Sequence, residues 1–124
     1  IDKNRANSNI VLGRFLYGMG QRIDYALIDA EGGLKDNAIT RLSRASIVVG
    51  EEDTETLLSY AKQLELELKQ EYKNTDDGIR ITVTKEDSGE FEVLSPMSRE
   101  KLVFFLMNVP NGIQKMSGSI EDFL

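Results

Sequence analysis

Residues 52–73 constrain the fold more than any other stretch. Leu57, Leu58, Ala61, Leu64, Leu68 and Tyr72 recur at the i, i+3, i+4, i+7 spacing of a single helix face. The remaining positions are mostly Glu, Lys and Gln. A helix of that length, apolar on one side only, must lay its stripe on a second layer. Asp53 is the expected N-cap, and Glu55 suits the positive end of the helix dipole.

The second layer reads as strands. Ile23, Tyr25 and Leu27 alternate with Arg22, Asp24 and Ala26, a period of two over Ile23 to Ile28. Glu31-Gly32-Gly33-Leu34 then makes a flexible connection. A second strand is expected over Ala38 to Val49, ending in the β-branched run Ile47-Val48-Val49. After the long helix, Asn74 to Gly78 has turn chemistry. Ile79, Ile81 and Val83 alternate with Arg80, Thr82 and Thr84, which predicts a third strand.

Two further helices flank this block. Ser8, Leu12, Phe15, Leu16 and Met19 place one over residues 5–19, with Gly18 and Gly20 as its stop. Ser95-Pro96 reads as a cap and first helical residue, opening a helix through Leu102, Phe105 and Leu106 to Asn108. The last dozen residues show no clear period. The order helix, strand, strand, helix, strand, helix predicts an α+β sandwich, with helices on one face of an antiparallel sheet.

A length of 124 residues suits one domain. The net charge is −6, and the middle helix with its turn (residues 51–77) has nine acidic against three basic groups. With no clustered cations the chain is a poor nucleic-acid binder. No apolar run reaches the roughly 20 residues of a membrane helix, and no signal peptide opens the chain. There is no histidine and no cysteine. That removes an imidazole base, a Ser-His triad, a thiol nucleophile and the usual zinc ligands.

The remaining chemical candidates have bland explanations. Glu51-Glu52-Asp53 and Asp76-Asp77 sit at element ends, where acids cap and solubilise. Gly18-Met19-Gly20 and Glu31-Gly32-Gly33 lack the spacing of a phosphate loop. Arg41 and Arg44 beside Asn37 could fork onto a carboxylate, though strand periodicity alone makes them solvated.

Three segments in series carry a family likeness. Ile1-Asp2-Lys3-Asn4-Arg5-Ala6-Asn7-Ser8-Asn9 runs into Leu12-Gly13-Arg14-Phe15-Leu16. Gly32-Gly33-Leu34-Lys35-Asp36-Asn37-Ala38-Ile39-Thr40-Arg41 follows, and later Leu106-Met107-Asn108-Val109-Pro110-Asn111-Gly112. In this order they resemble the lid region of bacterial aminoacyl-histidine dipeptidases (Xaa-His dipeptidase, peptidase D), which are dinuclear zinc peptidases. The resemblance spans essentially the whole chain.

The resemblance implies a ferredoxin-like two-layer α+β lid of a cytoplasmic enzyme, excised from a longer metallopeptidase. Such a lid covers the active site, helps orient a dipeptide substrate and mediates homodimerisation. It implies that two zinc ions and the acid/base carboxylate belong to a separate catalytic domain, so this fragment holds no metal and is inactive alone. A Gly-Gly-His-Ser-Gly segment is expected just before Ile1, and the family's carboxylate-binding arginine beyond Leu124. The family's Asn-Ala-Ile-Pro-Arg segment matches Asn37-Ala38-Ile39-Thr40-Arg41, with Thr40 in place of proline. Asn37 is therefore the expected substrate contact, with Arg41 and Lys115 as weaker candidates.

The lid's first strand is expected to be missing from the fragment. Either the remaining strands close up, the C-terminal segment inserts, or two chains pair. A second reading is a free-standing α+β interaction module that binds a partner or small ligand. A third is an unrelated enzyme working through carboxylates alone.

Overall fold

A computed structural model describes residues 7–32, 42–74, 78–86, 90–108 and 115–117. Helix α1 spans Ser8–Gly20, strand β1 Tyr25–Gly32 and strand β2 Ser43–Val49. A 3-10 turn over Glu51–Asp53 leads into helix α2, Thr54–Glu71. Helix α3 spans Pro96–Asn108, and a short strand β3 covers Lys115–Ser117. The sheet is antiparallel, in the order β2-β1-β3.

The α+β class and the antiparallel sheet are as expected. Leu16 and Met19 from α1, Leu27 from β1, Leu68 from α2, and Leu102 and Leu106 from α3 are all fully buried in one core. The helices cover one face of the sheet, while Arg44, Ser46 and Val48 of β2 point outward, exposed. Two of the helices are capped by side chains at their start. The Asn7 side chain caps α1, accepting from the Asn9 and Ile10 N–H groups. The Ser95 hydroxyl caps α3 by accepting from Ser98 N–H at 3.1 Å.

Several expectations need correction. Residues 79–84 form no strand and join no ladder among the described residues. Ile79 is buried and Ile81 half-buried, so the alternation reported a packed face correctly. What it could not report was pairing. The Ile81 N–H donates to the Glu65 carboxylate of α2. β1, meanwhile, pairs with β2 and β3, and its Leu27 carbonyl accepts from Leu94 N–H at 2.8 Å. The third strand is instead Lys115–Ser117, from the C-terminal stretch without a period. It pairs antiparallel with β1, on the side of β1 opposite β2.

β1 also starts and ends later than expected. A tight turn precedes it, with Arg22 N–H and Ile23 N–H both donating to the Met19 carbonyl at 2.9 Å. Glu31 and Gly32, expected in a loose connection, are paired with Arg44 and Ser43. A bulge at Ile28 separates the Leu27–Ile47 and Asp29–Ser46 pairs. Tyr25 and Leu27 face the core before it, Ala30 after it. Without that extra residue Asp29 and Glu31 would turn inward, because a one-residue slip exchanges the faces of a strand.

In α2 the expected cap fails. Asp53 makes no side-chain capping bond, because Glu51–Asp53 are wound into the 3-10 turn ahead of the helix. Leu58 is 46% exposed, and Tyr60 takes the buried position in its place. Gly18 lies within α1, two residues before its end, and it is buried. A Cβ there would collide with the Tyr60 hydroxyl. Its role is to let α2 approach, rather than to stop the helix.

Candidate functional site

The expected substrate contacts Asn37 and Arg41 fall within residues 33–41 and lie outside the described residues. Lys115 is described only through the backbone of β3. What the structure does show is where the 33–41 connection leaves and returns. Gly32 and Ser43 face one another as the last pair of the β1–β2 ladder. The N-terminal turn of α1 sits directly against them.

Asn9 organises this corner. It is a fully buried polar residue, and its side-chain oxygen accepts from the Ser43 hydroxyl. Ser43 Oγ is also 2.7 Å from Ser8 Oγ. At position 32 a Cβ would strike the Asn9 amide, so glycine leaves the space the amide occupies. One amide thus ties the helix start to both strands that flank the connection. Burying an amide is tolerable only when its hydrogen bonds are made, and removing one partner leaves the other desolvated. The chemistry available is amide, hydroxyl and glycine backbone. No group here titrates near neutral pH. The corner can hold a loop in place; it cannot perform acid/base work.

The other end of α1 differs. Arg22 lies with its guanidinium 4.3 Å from the centre of the Tyr60 ring, and its Nη1 donates to the Gly18 carbonyl at 2.8 Å. Burial raises the Tyr60 hydroxyl above the ordinary tyrosine range, and Arg22 partly offsets this. One helical turn before Gly18, Arg14 forks onto Glu71 of α2 at 3.1 and 3.2 Å. That bidentate bond is the first cause holding the Arg14 pKa up. At the start of β1, Arg99 stacks on Tyr25 at 4.7 Å and donates to the Tyr25 carbonyl. Desolvation raises the Tyr25 hydroxyl, against the lowering effect of Arg99.

The carboxylate candidates resolve into surface roles. Glu51 pairs with Lys85 at 3.2 Å, fully in solvent, while Asp76 and Asp77 lie outside the described residues. Arg44 pairs with Glu31 at 2.9 Å on the outer face of the sheet, which is the solvated role its alternation implied. Among the described residues no three or more of His, Cys, Asp and Glu come together as a metal site. With no His or Cys anywhere in the sequence, carboxylates are the only side chains of the usual zinc-ligand set that it contains. Sequence reading missed Asn9 as an organising residue. The signal was present in Asn7-Ser8-Asn9, three small polar residues directly before an apolar run, which marks a helix start.

No family model matches the chain, and no solved structure matches it. Among curated proteins it is similar to the cytosol non-specific dipeptidase of Escherichia coli (strain K12). The two are 29% identical over 111 residues, which cover 90% of this chain and 23% of that protein. The chain thus spans less than a quarter of the relative's length. The likeness supports a relation to dipeptidases, and it carries neither the Xaa-His preference nor the zinc. Among the described residues no helix is long and apolar enough to cross a membrane.

Proposed function

We propose that this chain is the non-catalytic lid and dimerisation domain of a cytoplasmic zinc-dependent dipeptidase that cleaves Xaa-His and related short peptides. The observation that carries this reading is the likeness to a dipeptidase over 90% of the chain but only 23% of the relative. A segment that aligns along most of its length with a fraction of an enzyme has the extent of one domain. The zinc ions and the proton-transferring carboxylate then belong to the remainder of the parent.

In this reading the corner at Asn9 holds the ends of the 33–41 connection, from which Asn37 reaches substrate and Arg41 supports it. A rigid base under a substrate contact lowers the entropy lost when substrate is oriented. Dimerisation would use β2. Its outer edge faces no described strand, and its exposed face includes Val48.

The test is to read the coding frame on both sides of residues 1–124 and assay the encoded whole. Flanking His, Asp and Glu ligands with zinc-dependent hydrolysis of an Xaa-His dipeptide support the reading. Asn37→Ala in that protein should then cost activity at unchanged zinc content. A frame that encodes no such ligands overturns it and favours the interaction module.

A further inference from the structure

We propose that the depression where the end of α1 meets the first turns of α2 binds a small monoanionic carboxylate, held by Arg22. The site lies at the end of α1 opposite the Asn9 corner and needs nothing from the peptidase reading. Its volume is about 310 Å³, and Arg22, Glu55, Thr56, Ser59, Tyr60 and Gln63 line it. A second depression of about 300 Å³ shares Arg22, Tyr60 and Gln63, so the two form one groove.

Arg22 is already arranged for a ligand. The Tyr60 ring covers one face of its guanidinium, and the Gly18 carbonyl takes one Nη1 hydrogen. These two contacts fix both the plane and the rotation of the group. A guanidinium has five N–H donors. Among the described residues the other four have no acceptor, and Arg22 has no carboxylate partner. Arg14 at the far side of the groove differs, being committed to Glu71 through both terminal nitrogens. An ordered guanidinium with a free edge matches a planar, two-oxygen acceptor.

The surroundings select among anions. Thr56 and Ser59 add exposed hydroxyl donors on successive turns of α2, and Gln63 adds an amide one turn further. Glu55 lines the same depression, and Glu67 lines the adjoining one. Two acidic neighbours on a chain of net charge −6 disfavour a phosphate dianion more than a carboxylate. The matching ligand is a small acyl-amino acid or a peptide C-terminus, with its carboxylate on Arg22; Tyr60 is buried between Arg22 and Phe15 and serves to hold the guanidinium.

Nuclear magnetic resonance titration of the whole chain tests this, with three probes: N-acetylglycine, its neutral amide, and inorganic phosphate. The expected result is a saturable shift of the Arg22 Nε–H and the Ser59 amide with N-acetylglycine and none with the amide. Arg22→Gln should weaken binding at least about tenfold, because a charged hydrogen bond is lost. Arg22→Lys, which keeps the charge and loses the fork, should weaken it less. If Arg22→Gln unfolds, the exposed pair Thr56→Ala and Ser59→Ala must give a weaker, still saturable shift. Shifts that never saturate, that match those of the neutral amide, that survive Arg22→Gln, or that saturate at lower phosphate than N-acetylglycine overturn the proposal.

Discussion

The two ends of α1 carry polar residues with opposite fates. At the N-terminal end Asn9 is fully buried and engaged by the fold, its oxygen on Ser43 and its space left open by Gly32. At the C-terminal end Arg22 is exposed, held in position by a ring and a carbonyl, and among the described residues most of its donors meet no acceptor. The first arrangement stabilises the chain and offers little to a ligand. The second contributes little to stability and is pre-shaped for recognition. Where a polar group has spent its hydrogen bonds decides which role it can take.

That contrast is broken most severely at Asn9. Asn9→Ala should destabilise the fold by about 2–4 kcal/mol, since it opens a cavity and removes the Asn9 acceptor of the Ser43 hydroxyl, leaving that group only Ser8. Urea unfolding measures this, and a loss below half a kcal/mol, far under that range, would show the corner to be unimportant. Gly18→Ala comes next, at about 1–3 kcal/mol, because its methyl group overlaps the Tyr60 hydroxyl. The same change should shift the ring on which Arg22 rests, and so disturb the C-terminal end of the comparison while leaving the Asn9 corner intact.

Smaller effects sharpen it. Ser95→Ala should cost about 1 kcal/mol through loss of the α3 cap, without touching either end of α1. Glu71→Ala should cost under about 1 kcal/mol, as its pair with Arg14 is solvent-exposed. Arg22→Gln should be close to neutral in unfolding; a cost as large as that of Asn9→Ala would make Arg22 structural and erase the distinction.

The pH dependence follows from the tyrosines. Burial raises both the Tyr25 and Tyr60 hydroxyls above their unfolded value of about 10. For a group whose folded pKa is raised, the contribution is complete below the unfolded value and is lost as pH rises through the folded one. Stability should therefore be insensitive to these groups at neutral pH and fall in the alkaline range. Tyr25→Phe and Tyr60→Phe should each flatten that fall, as read by unfolding midpoints from pH 8 to 11.

How much of this was legible in the sequence varies with the kind of information. The stripe Leu57, Ala61, Leu64 and Leu68 named a buried helix face correctly, because 3.6-residue periodicity is a local property. The alternation of Ile79, Ile81 and Val83 named a packed face too, yet gave no partner, since periodicity is silent about which backbone lies alongside. The Ile28 bulge was invisible for a related reason. It shows only as a register shift between two strands distant in sequence. Asn37 and Arg41 came from a family resemblance, and they lie outside the described residues. Asn9 and Arg22, the two residues the geometry singles out, came from neither source.

The sequence by itself determined the helices, the caps at Ser95 and the α2 stripe, the acidic surface and the absence of histidine and cysteine chemistry. These depend on neighbours within a few residues, or on composition alone. Only the tertiary structure decided that the C-terminal Lys115–Ser117 pairs with β1, that Gly18 exists to admit Tyr60, and that Arg22 is held over a ring from another helix. Each of those joins residues more than 30 positions apart. Such a contact is selected by the packing of whole elements, which no local pattern encodes.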